Sequence, residues 1–292
     1  MSKLQESLLE LVRRTSAELP DDVVSAIEAS RAHEEEGGAG AYALQVIHDN
    51  IDLAKTASAP LCQDTGSILF FVEGPVGLDQ IAFRAAAENA VRIATEKGYL
   101  RQNSVDPVTG HNAGTNLGPG APYLHFEQHR SDTVEVRLML KGGGCENVGA
   151  QYALPDTRLG AGRDLAGVRR VVLDAVFQAQ GKGCGPGILG VCVGGDRATG
   201  YEASKMQLLR PLDDRNPDPE LDKLERTLVE EANRTGIGPM GFGGATTLLG
   251  CKIGLLNRLP ASYFVSVSYM CWAYRRQGVR LDGGDDVAAW LY

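Results

Sequence analysis

Thirty-six glycines divide this 292-residue chain into short apolar segments. They gather at junctions: Gly37-Gly38-Ala39-Gly40, Gly142-Gly143-Gly144, Gly183-Cys184-Gly185-Pro186-Gly187 and Gly194-Gly195. Glycine weakens a helix or strand interior by roughly 0.5–1 kcal/mol relative to alanine and is at home in tight turns, so such clusters mark where elements end. Between them the apolar period changes. Leu4, Leu8, Leu9, Leu11 and Val12 form one stripe at helical spacing. Pro20-Asp21-Asp22 predicts a second helix with Asp as its cap. A third runs from about Ala41 to Ala57, with Leu44, Ile47, Ile51 and Leu53 inward. Ser67–Glu73 reads as a strand, and Leu78–Lys97 as an alanine-rich helix suited to close packing on a sheet. Residues 103–122 read as loop, and Val134–Lys141 alternates as a strand. Further on come a helix over 162–180, a strand over Ile188–Val193, and helices over Ala198–Leu209 and Leu221–Asn233. A strand pair over Thr246–Ile253 and Ala261–Ser268 closes the pattern. The expected fold is mixed α/β (α+β). A helical N-terminal region, residues 1–60, packs on a mixed-sheet region, 61–292, with glycine-rich loops, and the whole is read as one domain.

The composition narrows the partners. A net charge of −8 argues against nucleic-acid binding, which needs a basic surface, but not against a small anion held by a few local cations. A hydrophobic fraction of 43% supports a core without disulfides. Six cysteines in a chain this long do not resemble a secreted disulfide framework. The start, Met-Ser-Lys-Leu-Gln-Glu-Ser, carries no apolar signal, and no stretch of about 18 apolar residues suggests a membrane span. A reducing, cytoplasmic setting is expected.

Common motifs fail. Gly185-Pro-Gly187-Ile-Leu-Gly190 matches G-x-G-x-x-G, but a helix is expected before it and a strand after it, the reverse of a dinucleotide site. No phosphate-binding G-x-x-x-x-G-K-[ST] loop and no C-x-x-C occurs, and the histidines, His125 and His129 included, form no tight ligand cluster. Cysteine is the informative residue. Cys192 and Cys251 lie in apolar strands, as core residues do, and Cys145 sits in the triple-glycine loop. Cys62, Cys184 and Cys271 lie in polar or glycine-dense loops, where a thiolate is a ligand or nucleophile. By themselves these residues leave two readings open, three ligands of one metal centre or three unrelated thiols. Polar groups accompany them: Gln63 and Asp64 beside Cys62, Lys141 at the head of the glycine run, and the helix opening at Gly194–Arg197. Arg101, Arg275 and Arg276 are of the type that clamps a carboxylate bidentately. Together they suggest a small polyanion beside a Lewis acid.

Several segments carry a resemblance. They are Asn50-Ile51; Pro60-Leu-Cys-Gln-Asp-Thr-Gly66; Leu100-Arg101; Gly114-Thr115-Asn116; Lys141-Gly-Gly-Gly-Cys-Glu-Asn147; Gly183-Cys-Gly-Pro-Gly-Ile188; Gly236-Ile-Gly-Pro; and Ala261-Ser262 leading to Cys271. With them the chain resembles the N-terminal domain or α subunit of the iron–sulfur class I fumarases and L-tartrate dehydratases. The resemblance implies a [4Fe–4S] cluster held by Cys62, Cys184 and Cys271, with one iron open to substrate. It implies Asp64 in proton transfer, and Gln63, Arg101 and Gly144 lining a malate-like dicarboxylate. The implied activity is reversible dehydration of a 2-hydroxy dicarboxylic acid. Alternatives are a hydratase for tartrate, mesaconate or another substituted diacid, and a non-catalytic anion-binding or scaffold homologue. Two departures stand out: Leu259 occupies the usual histidine position, and Cys145 stands where serine is common. Because single-chain relatives draw further residues from a C-terminal domain, a separate β subunit is expected to complete the site. An α–α dimer is expected by the same analogy.

Overall fold

In the computed structural model, which describes residues 1–283 and 285–292, the chain opens with helices α1 (Lys3–Ala17), α2 (Asp21–Arg31) and α3 (Ala39–Ala57). Next come β1 (Ser67–Pro75), α4 (Gln80–Glu96), β2 (Tyr123–His129), β3 (Val134–Lys141) and the short helix α5 (Gly143–Asn147). They are followed by β4 (Ala150–Ala153), α6 (Leu165–Ala179), β5 (Gly187–Val193), α7 (Arg197–Gln207) and α8 (Pro219–Asn233). The last strands are β6 (Leu248–Leu255), β7 (Phe264–Met270), β8 (Arg276–Leu281) and β9 (Val287–Trp290). Helices and mixed sheets alternate, so the fold is mixed α/β. None of the helices among the described residues is long and apolar enough to cross a membrane.

The chain forms two compact units. The first comprises Met1–Asp21, Asp49–Gly143 and Ala273–Tyr292; the second comprises Asp22–His48 and Gly144–Trp272.

The first unit is built on a five-stranded sheet in the order β2-β1-β3-β8-β9. β1 runs parallel to β2 and antiparallel to β3, and β8 pairs antiparallel with both β3 and β9. Ile68, Phe70 and Val72 of β1 and Val136, Leu138 and Leu140 of β3 project to one face, as the two-residue strand period requires. There they meet Leu8, Leu11 and Val12 of α1 and Phe83, Ala87 and Val91 of α4. Each such burial contributes roughly 1.5–3 kcal/mol. The buried alanines at 86, 87, 90 and 94 let α1 pack closely on α4. Ser2 and Gln5 close a reciprocal capping box on α1, and Asp79 caps α4 through the N–H groups of Ile81 and Ala82.

The second unit has a four-stranded sheet in the order β4-β7-β5-β6. β5 is parallel to β6 and antiparallel to β7. Val168, Val171, Val172 and Val176 of α6 and Leu221, Leu224 and Leu228 of α8 cover one face, against Leu189, Val191, Ile253, Val265 and Val267. α7 packs near β5 because Gly190 has no side chain: a Cβ there would lie 2.1 Å from the carbonyl oxygen of Ser204.

Several expectations need correction. The two late strands do not pair with each other; each flanks β5. The chain continues past Cys271 into β8 and β9, which join the other sheet. Leu53 faces outward at 69% exposure, while Leu44, Ile47 and Ile51 are buried. Asp21 is the first residue of α2 rather than its cap, and the Asp22 carboxylate accepts from the N–H of Leu212 at 2.7 Å. The glycine run after β3 continues into α5 rather than staying a loop.

Candidate active site

The loop between α3 and β1 is held by small polar residues of the first unit. Asn50 donates to the carbonyl of Leu61 (2.9 Å), and the Leu61 N–H donates to the carbonyl of Ser16 (2.9 Å). Cys62 and Asp64 are half-buried and Gln63 is exposed. Thr65 is buried, and its hydroxyl grips one neighbour twice. It accepts from the N–H of Arg101 at 2.9 Å and donates to the Arg101 carbonyl at 2.8 Å. Gly66 follows at φ +76°, where a Cβ would stand 2.3 Å from the carbonyl oxygen of Lys141. Glycine is therefore required on both steric and conformational grounds.

Asp64 is fixed at both carboxylate oxygens. Oδ1 accepts from Asn103 Nδ2 at 2.7 Å, and Oδ2 accepts from the N–H of Gly143 at 2.7 Å. Asn103 is itself placed by Asn116, a buried residue at φ +61°. Asn116 Oδ1 accepts from the N–H of Asn103 (2.7 Å), and its Nδ2 donates to the Arg101 carbonyl (2.9 Å) and to Thr95 Oγ1 (3.0 Å). Arg101 thus has a fixed backbone and an exposed side chain. Arg275 is only 1% exposed, and its Nη2 stands 3.9 Å from the point a Cβ on Gly142 would occupy. Asp64 Oδ2 stands 3.2 Å from that same point.

In the second unit, strand register brings two of the sequence-predicted cysteines to one end of the sheet. Ile188 of β5 pairs with Met270 of β7 in antiparallel register. The loop before β5 carries Cys184, and Cys271 directly follows β7, so both lie at that edge. The N–H of Trp272 donates to the Cys184 carbonyl at 3.3 Å. Cys184 is exposed and adopts a left-handed conformation (φ 54°, ψ 60°), while Cys271 is buried. Tyr269 lies against this loop. Cβ atoms at Gly183 and Gly187 would reach its ring at 2.5 and 2.4 Å, so any larger residue there must displace the ring or the backbone. Burial pushes the Tyr269 phenol up, and negative charge at Cys271, Cys145 and Cys184 pushes it the same way. One ring is therefore within electrostatic reach of three thiols. Gly144 is exposed, and a Cβ on it would lie 3.7 Å from the Lys182 carbonyl, which sets Gly144 beside the loop of Cys184.

Other candidates have different roles. Cys192 and Cys251 are buried in strands; burial pushes the Cys192 thiol up to about 11 and raises Cys251 as well, which keeps both protonated. The helix opening after Gly194-Gly195 is already capped: Asp196 accepts from the N–H groups of Ala198 and Thr199. Arg276 lies over the rings of Tyr274 and Tyr292, each at 4.5 Å. His125 and His129 lie on β2 beside Glu127 and Ser131. Leu259 is 72% exposed in the loop after β6. Among the described residues no group of three His, Cys, Asp or Glu side chains is arranged to hold a metal ion. Sequence reasoning gave no role to Thr65, Asn103 or Tyr269. Thr65 lies inside a quoted motif and was within reach; Asn103 and Tyr269 carry no local signal.

The chain matches the family described as Fumarate hydratase (Fumerase) over residues 5–280. It is 50% identical over 296 residues to a Geobacillus stearothermophilus protein named "Putative fumarate hydratase class I", covering 100% of this chain and 58% of that protein. It is 32% identical over 287 residues to the "Putative L(+)-tartrate dehydratase subunit alpha" of Methanocaldococcus jannaschii, covering 96% of this chain and 99% of that protein. It is 31% identical over 278 residues to the L(+)-tartrate dehydratase subunit alpha of Escherichia coli strain K12, covering 94% and 90% respectively. The chain therefore spans less than two thirds of the first relative and nearly all of the other two.

Proposed function

This chain belongs to the fumarate hydratase (Fumerase) family, and on that footing we propose that it is the α component of a hydro-lyase. The reaction is reversible dehydration of a 2-hydroxy dicarboxylic acid. Removing a proton beside a carboxylate is difficult because the carbanion is poorly stabilised. The reaction needs a positioned base, a charge clamp and help for the departing hydroxide. The observation that carries the reading is Asp64, whose two oxygens are each held at 2.7 Å in a half-buried loop. A carboxylate fixed at both ends suits proton transfer at a defined atom. We assign substrate contacts to Gln63 and Arg101, whose side chains are exposed, and to Gly144.

A [4Fe–4S] cluster fits the donor set, because Cys184 and Cys271 end at one sheet edge and Cys62 is a half-buried loop thiol beside Asp64. These three would hold it, and when bound it supplies a Lewis acid for the departing hydroxyl. Cys62, Cys192 and Cys251 are free thiols, which suits a reducing, cytoplasmic compartment. Residues 1–292 are taken as one functional unit that pairs with itself and with a separate β subunit, in keeping with the relatives named as subunit alpha. Leu259 favours a second reading. A leucine cannot move a proton, so a substituted diacid such as tartrate or mesaconate competes with fumarate as substrate.

The test is anaerobic co-expression with the adjacent-gene product, iron and sulfide analysis, and a panel of fumarate, mesaconate, malate and tartrate. About four irons per chain and turnover of one diacid are expected. Cys184→Ala should lose the cluster. Material never exposed to oxygen that contains no iron would sink the cluster assignment, and iron-loaded protein inert towards every diacid would sink the hydro-lyase reading.

A further inference from the structure

We propose that Arg275 is a substrate-anchoring residue that grips one carboxylate of the diacid over the bare α-carbon of Gly142. This rests on the hydro-lyase reading and adds a binding residue to it. The argument begins with cost. Arginine keeps its charge at any ordinary pH, and burying an unpaired charge costs several kcal/mol. Arg275 is 1% exposed, yet its Nε and Nη1 find no acceptor among the described residues.

Two other buried cations of the chain have partners. Lys252, 4% exposed, donates to the carbonyls of Leu212 (3.0 Å) and Asp214 (2.8 Å) and to Asp214 Oδ1 (2.5 Å). Arg276 lies over two aromatic rings. Arg275 has neither arrangement, although its backbone is well anchored. Its N–H donates to the carbonyl of Ala273 (2.8 Å), and its carbonyl accepts from the N–H of Leu140 (3.0 Å).

The guanidinium therefore sits buried beside the Gly142 position with two of its nitrogens lacking an acceptor. Asp64 lies beside that place, but each of its oxygens is already engaged by Asn103 or Gly143. Between Arg275 Nη2 and Asp64 Oδ2 stands the vacant side-chain position of Gly142, 3.9 Å from one and 3.2 Å from the other. A planar carboxylate pairs with a guanidinium through two parallel hydrogen bonds. Seated there, the ligand brings its own carbon chain to the carboxylate proposed to move its proton.

The experiment uses the anaerobic, cluster-loaded complex of the full chain and measures binding of two unreactive probes by calorimetry. Succinate carries two carboxylates; succinamate has one replaced by an amide. Arg275→Gln is expected to weaken succinate by roughly tenfold or more and succinamate far less, the loss typical of one charge-assisted pair. With a substrate, KM should rise more than kcat falls. Arg275→Lys should retain part of the affinity, and added methylguanidinium should restore succinate binding to Arg275→Ala. Iron content, read separately, should stay at the wild-type level. Equal losses for both probes, unchanged succinate affinity, or iron loss in all three variants with no change per loaded site would overturn the assignment. Wild-type complex that binds no succinate overturns it as well. Arg275-dependent succinate binding without turnover of any diacid would leave the anchor standing and remove the hydro-lyase reading. Turnover with Arg275 variants that behave like wild type would do the reverse.

Discussion

Thr65 is a buried hydroxyl with two bonds to the backbone of a single residue, and that residue is Arg101. Thr65→Val keeps the shape and removes both bonds. Leaving the part-buried Arg101 N–H unpaired should cost about 1 kcal/mol, read as a shift of the urea midpoint. Thr65→Ser should restore most of it, because the hydroxyl returns. In the assembled enzyme Thr65→Val should also lower kcat/KM, since Arg101 and Asn103 share this support. A stability change under a few tenths of a kcal/mol with unaltered kinetics would remove Thr65 from the scaffold. At this scale much was legible in the sequence. The Cys-Gln-Asp-Thr-Gly run and Gly114-Thr115-Asn116 stood out, but only as words shared with a family. Their joint task, fixing residues 101–103, needs the fold, because Asn116 reaches that segment from a positive-φ turn. Leu53 was misread because helical spacing gives the width of an apolar stripe only approximately.

Among the elements, β5 decides most. The sequence contains Gly185, Gly187 and Gly190 in a nucleotide-like spacing, and rejecting that reading left the glycines unexplained. In the structure, two of them face packing partners: Gly187 meets the ring of Tyr269, and Gly190 meets the backbone of α7. Gly187→Ala places a methyl 2.4 Å from that ring, so the ring or the strand must move. Overpacking of this kind costs about 1–3 kcal/mol. Thermal unfolding should record the loss, and Tyr269→Leu in the same chain should recover part of it. If the double variant proved no more stable than Gly187→Ala alone, contact with Tyr269 would not be the cause. Helices and strands themselves were largely legible, since α4, β3, β5, α7 and α8 match their periodic segments to within a few residues. Pairing was not. Nothing local in Ala261–Ser268 says that its partner is β5 rather than the strand preceding it. β2 and β4 escape a sequence reading because both carry little apolar alternation, and β4 is only four residues long.

For the whole molecule the feature that sequence could least supply is the interleaving of the two units. The first unit takes its last strands from the final twenty residues, Ala273–Tyr292. A chain truncated after Trp272 would lose β8 and β9, and with them Val279 and Leu281 from the core. It would also leave the β3 edge unpaired. Lost burial and lost ladder together approach the 5–15 kcal/mol that holds a typical domain folded. Circular dichroism and limited proteolysis should find the first unit unfolded in the truncated chain. A cooperative transition at the full-length temperature would contradict the topology. The two chain ends meet inside this unit: Lys3 pairs with Asp286, and Ser7 Oγ donates to the carbonyl of Asp285 at 2.7 Å. Synthesis on a ribosome therefore starts the first unit early and completes it only after the second. Its α1 helix and three of its strands must wait, edge open, while the second unit is made in full. The nascent chain is thus exposed to aggregation through β3 until its closing strands emerge, and slow or stalled translation of residues 273–292 falls hardest on this unit.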